Sequence, residues 1–534
     1  MQEKYIRRLR EFVAIRSISE SLDHRLEVVK ALRWVAFRLK RLGADVRFKR
    51  LGKETIYTGD HIPLEKSDQM ELPDVLIASI GVDITKRTLL IYGHVDVKQV
   101  YESEKWKHDP FDLQVIDGYL CGRGVTDDKG PVLGWINVLE AFQKTNIKLP
   151  VNLKFIIEGM EETGSEGLHE LLNDLSFNFF KNVDFVAISD NYWLGQNTPC
   201  LTYGLRGVIY FYVTVKGPER VLHSGCHGGA VVEPLEDLVS LLSVLNDSSG
   251  RPMVPGIYDD IQELDPEEMK RTLDLDAMHL NIFETDQESM FIKIVREEEP
   301  INRKLPFLKI WVRRFGQLDF EPSVYQNDIA APGLRSYDKI DILRRRWCLP
   351  SITIHGVEHS FDKPGAPTLI SKTVMGKFSV RIVPDQPPKK VAKKVTEYLE
   401  TVHRQRGSPN ILEIKVFRDG RPFLADHSCS NYQAAFNAIK MVWKQDPDLT
   451  RDGAAIPVAI ALEESTRKDV VLIPMGQSLD FQHENNERLS IENFMNGMKV
   501  FVVYFFKLAA IDIDNSEDEE ERQKLREEWR NKMI

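Results

Sequence analysis

One short pattern recurs in the N-terminal part of the chain, and it restricts the folds that the chain can adopt. An apolar segment of strand length ends, and a histidine or a carboxylate follows before a helix or loop begins. The predicted strands that show it are Thr88–Tyr92, Val151–Ile157 and Asp184–Ile188. The polar residues that follow them are His94, Asp96, Glu161, Glu162 and Asp190. Because α/β proteins collect functional groups at the carboxyl ends of buried parallel strands, we predict an α/β fold with a site at that sheet edge.

The spacing of the acidic residues supports this interpretation. Asp127 lies just before a predicted helix that starts at Lys129, and it comes 31 residues after Asp96. Glu162 follows 35 residues later and Asp190 a further 28, each close to the roughly 30 residues of one βαβ unit. Any one of these carboxylates could be a helix cap or a solvated loop residue. Their expected convergence, together with a histidine, favours a metal site.

The candidate ligands are of two chemical types. In His94-x-Asp96 the two side chains point the same way along an extended segment, so Asp96 can orient the imidazole directly or through a bound ion. A second histidine, His483, follows a later apolar segment. Imidazole and carboxylate donors without thiolates suit zinc, manganese or cobalt, and their number indicates two ions that share a bridging carboxylate. Of the neighbours Glu161 and Glu162, one can bind metal while the other accepts a proton from water.

A different pattern starts at Gly207 and predicts a second domain. Strands and helices follow in the order β-α-β-β-α-β, which matches the ferredoxin-like α+β arrangement. We predict that residues 207–420 form an inserted lid domain, while 1–206 and 421–511 form one discontinuous catalytic domain. A long, charged insertion near 283–333 receives no role, and the charged tail 512–534 is predicted to be a solvated helix or disordered.

Composition argues against several classes of protein. The 534 residues exceed one domain, and 42% of them are hydrophobic, which is enough to bury two cores. The net charge of −10 argues against a general nucleic-acid or anionic-membrane binder, and neither a secretion signal nor an apolar membrane span is found. The five cysteines are widely spaced without a Cys-x-x-Cys pair, so neither a disulfide framework nor a thiolate zinc site is indicated. We therefore expect a cytoplasmic protein.

Several motifs surround the candidate residues and resemble those of one peptidase family. They are Tyr-Gly-His94-Val-Asp96-Val, Gly-Arg-Gly-Val-Thr-Asp127-Asp-Lys-Gly-Pro-Val, Glu-Gly-Met-Glu161-Glu162-Thr-Gly-Ser-Glu-Gly, Ile-Ser-Asp190-Asn-Tyr-Trp-Leu-Gly, Thr-Tyr-Gly-Leu-Arg-Gly and Leu-His223-Ser-Gly. Outside 283–333 and the tail, nearly the whole chain is similar to the carnosinase and cytosolic non-specific dipeptidase group of dinuclear zinc peptidases. The resemblance implies a zinc-peptidase-like catalytic domain with a mixed, largely parallel sheet, and a lid domain that also serves dimerisation.

The same resemblance implies roles for the residues at the sheet edge. The implied metal ligands are His94 and Asp190 for one ion, Glu162 and His483 for the other, and Asp127 as the bridge between them. The two divalent ions would be zinc or manganese. Asp96 would steady His94, and Glu161 would be the general base that takes a proton from a bridging water.

Three residues of the predicted lid match substrate-handling positions of this group. His223 would polarise the scissile carbonyl, Thr368 would contact substrate, and Arg381 would bind the substrate's C-terminal carboxylate through its guanidinium fork. The positions that match His223 and Thr368 act across a twofold dimer in the group, so a homodimer is implied.

Two segments depart from the group's pattern. Where the group usually reads Arg-Glu-Gly-Gly-Ser-Ile-Pro, this chain has Arg451-Asp-Gly-Ala-Ala-Ile-Pro, so Ala455 replaces a hydroxyl that helps to hold substrate and Ala454 replaces a glycine. Phe481 and Gln482 replace small residues just before His483. We expect these changes to act on substrate affinity and on the space around the ion or the lid, since every implied metal ligand is retained.

The leading hypothesis is therefore metal-dependent hydrolysis of small dipeptides that carry a free C-terminal carboxylate. A second enzyme hypothesis is an N-acyl amino acid deacylase of the same wider fold, which differs in the group on the amino side of the scissile amide. A third is a catalytically weakened homologue that acts as a dimeric binding protein, suggested by Ala454, Ala455 and Phe481. Retention of all the ligands and of Glu161 favours an enzyme.

Overall fold

A computed structural model describes residues 1–54, 70–261, 316–361 and 365–511. The described chain divides into two compact units, one formed by Met1–Leu205 and residues 423–511 and the other by the described residues of Arg206–Pro422. These limits lie close to the predicted domain boundaries, whereas the assignment of the units as catalytic and lid domains stays a prediction. The insertion near 283–333 lies largely, and the tail 512–534 wholly, outside the described residues.

Helices and strands alternate through the first unit and form a smaller set in the second. The helices are α1 (Gln2–Val13), α2 (Arg25–Arg41), α3 (Lys129–Thr145), α4 (Leu168–Ser176), α5 (Ser224–His227), α6 (Pro234–Ser243), α7 (Pro322–Asp328), α8 (Lys339–Trp347), α9 (Pro388–Arg406), α10 (Ser430–Trp443), α11 (Pro457–Thr466) and α12 (Ile491–Ala509). The strands are β1 (Asp45–Lys49), β2 (Val75–Ile80), β3 (Thr88–His94), β4 (Gln114–Ile116), β5 (Tyr119–Cys121), β6 (Asn152–Glu158), β7 (Phe185–Ile188), β8 (Cys200–Leu205), β9 (Gly207–Lys216), β10 (Leu222–His223), β11 (Ser351–Glu358), β12 (Leu369–Ile370), β13 (Thr373–Ile382), β14 (Ile411–Gly420), β15 (Phe423–Leu424), β16 (Asp448–Asp452), β17 (Val470–Leu472) and β18 (Arg488–Ser490).

The first unit is built on a nine-stranded mixed sheet. Its strand order is β1-β2-β6-β3-β7-β17-β8-β15, and β16 pairs with β8. The four central strands β6, β3, β7 and β17 run parallel to one another. The pairs β1·β2, β2·β6, β17·β8 and β15·β8 are antiparallel, and β16 pairs parallel with β8. The large hydrophobic core of this unit takes side chains from these strands and from helices such as α1, α2, α3 and α12. The predicted α/β fold with a mixed sheet is confirmed.

The central strand β3 explains why the candidate residues converge. All seven of its residues are buried, as expected for a strand covered by helices on both faces. In the register, His94 lies opposite Glu158 of β6, and Tyr92 lies opposite Ile188 of β7. The chain therefore leaves β3, β6 and β7 at the same sheet edge, and the residues after these strands begin from neighbouring points.

The second unit contains a four-stranded antiparallel sheet in the order β11-β13-β9-β14. Together with α6 and α9 this is the ferredoxin-like arrangement predicted from the order of the elements. Its own hydrophobic core lies between the sheet and the two helices and includes Phe211, Phe378, Leu238 and Leu399. The strands β10 and β12 form a separate two-stranded sheet in this unit.

Some elements were not predicted. These are the short strands β4, β5, β8, β10, β12, β15, β16 and β18 and the helices α4, α5, α7, α8 and α11. Most of them are short, and β8 owes its place in the sheet to pairing with three other strands. In the described part of the chain, none of the helices combines the length and apolar character that a membrane crossing requires.

Candidate metal centre

The residues predicted as metal ligands come together at the carboxyl edge of the parallel strands. Their donor atoms form two groups, His94 with Asp127 and Asp190, and Asp127 with Glu162 and His483. Within each group the donor atoms all lie within 4.8 Å of one another. Asp127 belongs to both groups, which is the position that a bridging ligand requires.

The two oxygens of the Asp127 carboxylate face different histidines. Asp127 Oδ1 lies 3.1 Å from His94 Nε2, and Asp127 Oδ2 lies 2.9 Å from His483 Nε2. His94 Nε2 is also 3.7 Å from Asp190 Oδ2, and His483 Nε2 is 2.9 Å from Glu162 Oε2. Donor atoms around a four-coordinate ion with bonds of about 2.0–2.2 Å lie roughly 3.4 Å apart. The observed separations surround this value, so the site fits two ions that share Asp127.

The electrostatics of the site agree with its geometry. Burial, followed by the charge of Asp127, raises the pKa of Glu162 to about 7 and also raises the pKa of Asp190. Burial opposes protonation of His483, but Asp127 and Glu162 outweigh it and raise the pKa of His483 to about 11. So many carboxylates are favourable in a buried site only when positive charge accompanies them. The donor set therefore fits divalent cations.

Local packing determines where His94 lies. Its backbone N–H donates to Asp128 Oδ2 at 3.2 Å, at the start of α3. The preceding residue, Gly93, allows this approach, since a Cβ there would lie 2.5 Å from Val132 Cγ2 and 2.8 Å from Asp128 Oδ2. Burial lowers the pKa of His94, but hydrogen bonds to Asp127, Asp190 and Asp96 outweigh it and raise that pKa well above its ordinary value.

Asp96 contacts both sides of the site. Its Oδ1 lies 3.3 Å from His94 Nδ1, the ring nitrogen that faces away from Asp127. The same carboxylate accepts hydrogen bonds from the backbone N–H groups of Glu161, at 3.2 Å, and Glu162, at 3.0 Å. Asp96 thus holds the His94 ring and the turn that carries both glutamates, as an orienting residue would.

Glu161 lies in the 3-10 turn Glu161–Thr163 beside this cluster and belongs to neither group of donor atoms. Burial raises its pKa well above the ordinary value against the opposing influence of His94, and the nearby charges of Asp190 and Glu162 raise it further. A carboxyl group that adjoins the ligands without joining them is placed as a proton acceptor would be.

Sequence reasoning missed the residues that hold the ligand loops. Glu487, Arg123 and Asp480 are buried and bond to the segments that carry Asp127 and His483. Glu158 is likewise buried, and it accepts hydrogen bonds from Tyr92 and Ser165. None of them has the spacing of a metal ligand. The available signal was their closeness in sequence to two candidate ligands, since Arg123 lies four residues before Asp127, and Asp480 and Glu487 flank His483.

In the second unit the structure brings His223 and Thr368 together. His223 Nε2 and Thr368 Oγ1 lie 3.4 Å apart, and both residues are exposed. His223 Nδ1 accepts the backbone N–H of Gly225 at 3.0 Å, so in the neutral ring Nε2 carries the proton and can donate it. Arg381 lies on β13, opposite Val208 and Ser351 in the four-stranded sheet.

The structure describes both segments that differ from the sequence pattern of the dipeptidase group. Ala454 and Ala455 follow β16, where the Ala454 N–H donates to Asp452 Oδ1 at 3.0 Å. Phe481 has a left-handed backbone, with φ of 54°, which glycine adopts more readily than phenylalanine. The guanidinium carbon of Arg488 lies 4.9 Å from the centroid of the Phe481 ring, and the residue is half-buried.

Comparison with known proteins gives consistent matches over almost the whole chain. Residues 90–506 match the model of peptidase family M20/M25/M40. The chain is 38% identical to human Beta-Ala-His dipeptidase over 512 residues, 96% of this chain and 91% of that protein. It is 37% identical to the Cys-Gly metallodipeptidase DUG1 of Candida albicans over 509 residues, 94% of each.

Solved structures show the same relationship. Human carnosine dipeptidase 1 superposes with a TM-score of 0.80 at 36% identity, covering 96% of this chain and 97% of the other. The di-peptidase Dug1p of Saccharomyces cerevisiae superposes with a TM-score of 0.80 at 33% identity, covering 95% and 96%.

Proposed function

This chain is an enzyme of peptidase family M20/M25/M40, and on that basis we propose that it hydrolyses the peptide bond of small dipeptides with a free C-terminal carboxylate. The observation that carries the proposal is the pair of donor groups joined by the two oxygens of Asp127. Dipeptidase names among relatives that match over almost their full length support the substrate class.

In this proposal each donor group holds one divalent ion, either zinc or manganese. His94 and Asp190 would bind one, Glu162 and His483 would bind the other, and Asp127 would bind both. When bound, two such ions would supply Lewis-acid chemistry, which makes water a nucleophile for the peptide carbonyl near neutral pH. The residues of the chain set the separation of the ions and exclude other ligands, since four of the five are buried or nearly so.

Glu161 is the general base. It accepts the proton of the attacking water and returns it to the leaving amine, for which it must lie within hydrogen-bond reach of both. The Asp96 carboxylate, which holds the Glu161 backbone N–H, fixes the position of this residue relative to His94.

The second unit supplies the substrate contacts. His223 donates from Nε2 to the scissile carbonyl oxygen, with Thr368 beside it, and Arg381 binds the C-terminal carboxylate through two parallel hydrogen bonds. By resemblance to the family, His223 and Thr368 serve the partner subunit of a homodimer. All five cysteines are free, which supports a reducing, cytoplasmic location.

The test is hydrolysis by purified protein that has been chelated and reloaded with Zn²⁺ or Mn²⁺. The panel contains β-Ala-His, Cys-Gly and other dipeptides, their C-terminal amides, and N-acetyl amino acids. We expect metal-dependent cleavage of the dipeptides, weak cleavage of the amides and little of the N-acetyl amino acids. Preferential cleavage of the N-acetyl compounds would establish a deacylase instead, and no cleavage by protein carrying two ions would favour a binding protein.

A further inference from the structure

We propose that Glu487 is a positioning residue for the ion shared by Asp127, Glu162 and His483, because it ties the loop that carries Asp127 to the loop that carries His483. The inference rests on the proposed two-ion site. Glu487 belongs to neither group of donor atoms, so it can affect metal binding only through the two loops that it connects.

Glu487 is 1% exposed and accepts four hydrogen bonds. Its Oε2 accepts from the backbone N–H of Gly124 at 3.0 Å and from Arg123 Nη1 at 3.1 Å. Its Oε1 accepts from the backbone N–H groups of Thr126, at 3.1 Å, and Asp127, at 3.3 Å. One carboxylate thus holds three amides in the turn that ends at the bridging ligand.

Arg123 extends this connection to His483. Its guanidinium is 1% exposed, and Nη1 donates both to Glu487 and to the carbonyl oxygen of Glu484, the residue after His483, at 3.1 Å. The same guanidinium lies 5.2 Å from the centroid of the Trp106 ring. The buried charge of Glu487 is therefore paired, and its partner also holds the backbone next to the histidine ligand.

A second contact joins the same two loops. Thr126 Oγ1 donates to Asp480 Oδ2 at 2.9 Å, and the backbone N–H of Gln477 donates to the same oxygen at 3.0 Å. Both Asp480 and Glu487 belong to the segment that contains His483, and both accept hydrogen bonds from the turn 123–127 that ends at Asp127. The 2.9 Å approach of Asp127 Oδ2 to His483 Nε2 is thus maintained by contacts on both sides of His483 in the chain.

The two ions depend on this connection to different degrees. In the group Asp127, Glu162 and His483, two of the three ligands lie on the connected loops. In the group that contains His94 and Asp190, Asp127 alone lies on them. The remaining ligands of the second ion have separate supports, such as the Asp96 contact with His94. Loss of this connection should therefore lower the affinity for the ion of Asp127, Glu162 and His483 more than the affinity for the other ion.

The test is the Glu487→Gln variant. Each oxygen of Glu487 accepts two hydrogen bonds, so whichever oxygen becomes an amide NH₂ will present a donor to two donors. Mutation of residues that orient metal ligands typically lowers metal affinity roughly 10–100-fold. We expect a loss of this size in affinity for the ion of Asp127, Glu162 and His483. Affinity for the ion of His94, Asp127 and Asp190 should change by less than about threefold. The measurement is calorimetric titration of the chelated protein with Mn²⁺ alone, checked by elemental analysis after dialysis.

Asp237→Asn is the matched control, because Asp237 is another fully buried carboxylate, bonded to Arg406, Ser408 and Asn410 in the second unit. It should leave both affinities unchanged and report, through the Tm of the chelated protein, what loss of a buried carboxylate does to stability. Should Glu487→Gln fail to fold, Glu487→Asp replaces it, because aspartate keeps the charge beside Arg123 but is one methylene too short to hold the backbone N–H groups of Gly124, Thr126 and Asp127 together. This variant should lose affinity for the ion of Asp127, Glu162 and His483.

Parental affinity for both ions in Glu487→Gln, or in Glu487→Asp if that variant has to be used, would overturn the inference. An equal loss of both ions would also overturn it, because that is the result of a general structural role. Parent protein that binds fewer than two ions would instead remove the two-ion site on which the inference rests.

Discussion

The two regions that the proposed reaction requires are built in opposite ways. In the first unit, His94 is fully buried and the Asp127 side chain is 8% exposed, and each contacts several other polar groups. In the second unit, His223 and Thr368 are exposed and meet across a sheet of two short strands. The candidate metal centre is therefore held by the core of its unit, whereas the proposed substrate contacts His223 and Thr368 lie at the surface of theirs.

This difference predicts what mutation does in each region. Changes in the metal centre should alter metal content and the stability of the first unit, because buried charges lose partners. Changes among the exposed substrate residues should alter kinetic constants and leave both metal content and Tm unchanged. If variants of the metal centre and variants of the substrate residues lose the same amount of metal, the two regions do not differ in this way.

Asp127→Ala should have the largest effect. It removes the only residue shared by both donor groups, so both ions should bind weakly and turnover should fall to background. Elemental analysis after dialysis measures the metal content, and Asp237→Asn serves as the control for loss of a buried carboxylate. Two ions at full occupancy in Asp127→Ala would show that it is not the bridge.

Glu161→Gln should lower kcat roughly 10²–10⁴-fold while two ions remain bound, because it removes the proton acceptor and retains the shape of the side chain. The Asp96 contact to the Glu161 backbone should be unaffected. Glu170→Gln on the exposed surface of α4 is the matched control and should leave kcat and metal content unchanged. Near-parental turnover in Glu161→Gln would assign the base to another residue.

Arg381→Ala should act on substrate recognition alone. A hydrogen-bonded charge pair with the substrate carboxylate contributes ~1.5–3 kcal/mol, so kcat/KM for dipeptides should fall roughly tenfold or more, while C-terminal amides should change little. Arg418→Ala, an exposed arginine of β14 in the same sheet, is the control. Equal losses for acids and amides would mean that Arg381 does not bind the carboxylate.

Ala455→Ser should have the smallest effect. If the hydroxyl that the family resemblance leads us to expect at this position is restored, it should add a hydrogen bond of ~0.5–1.5 kcal/mol, and kcat/KM for free dipeptides should rise by severalfold. Ala454→Ser, one residue earlier and exposed, should not reproduce the gain. A gain of equal size for amides would show that the hydroxyl does not act on carboxylate binding.

The sequence predicted the central elements well because their signals are local. The strand β3 is a continuous apolar run, and the spacing of Asp127, Glu162 and Asp190 follows the length of a βαβ unit, so parallel strands and converging ends could be inferred. The strand β8 was missed, since its mixed residues, Cys-Leu-Thr-Tyr-Gly-Leu, acquire a strand conformation by pairing with three strands that are distant in the chain.

The sequence by itself determined which residues can bind metal and that they should meet at one sheet edge, because ligand chemistry and strand periodicity are properties of short segments. Only the tertiary structure decided which residues hold those ligands in place. Glu487 and Gly124 are 363 positions apart, and no local pattern indicates that a carboxylate will be buried against three distant backbone amides. A hydrogen bond between remote segments depends on how the strands and loops assemble, and its geometry exists only in the folded chain.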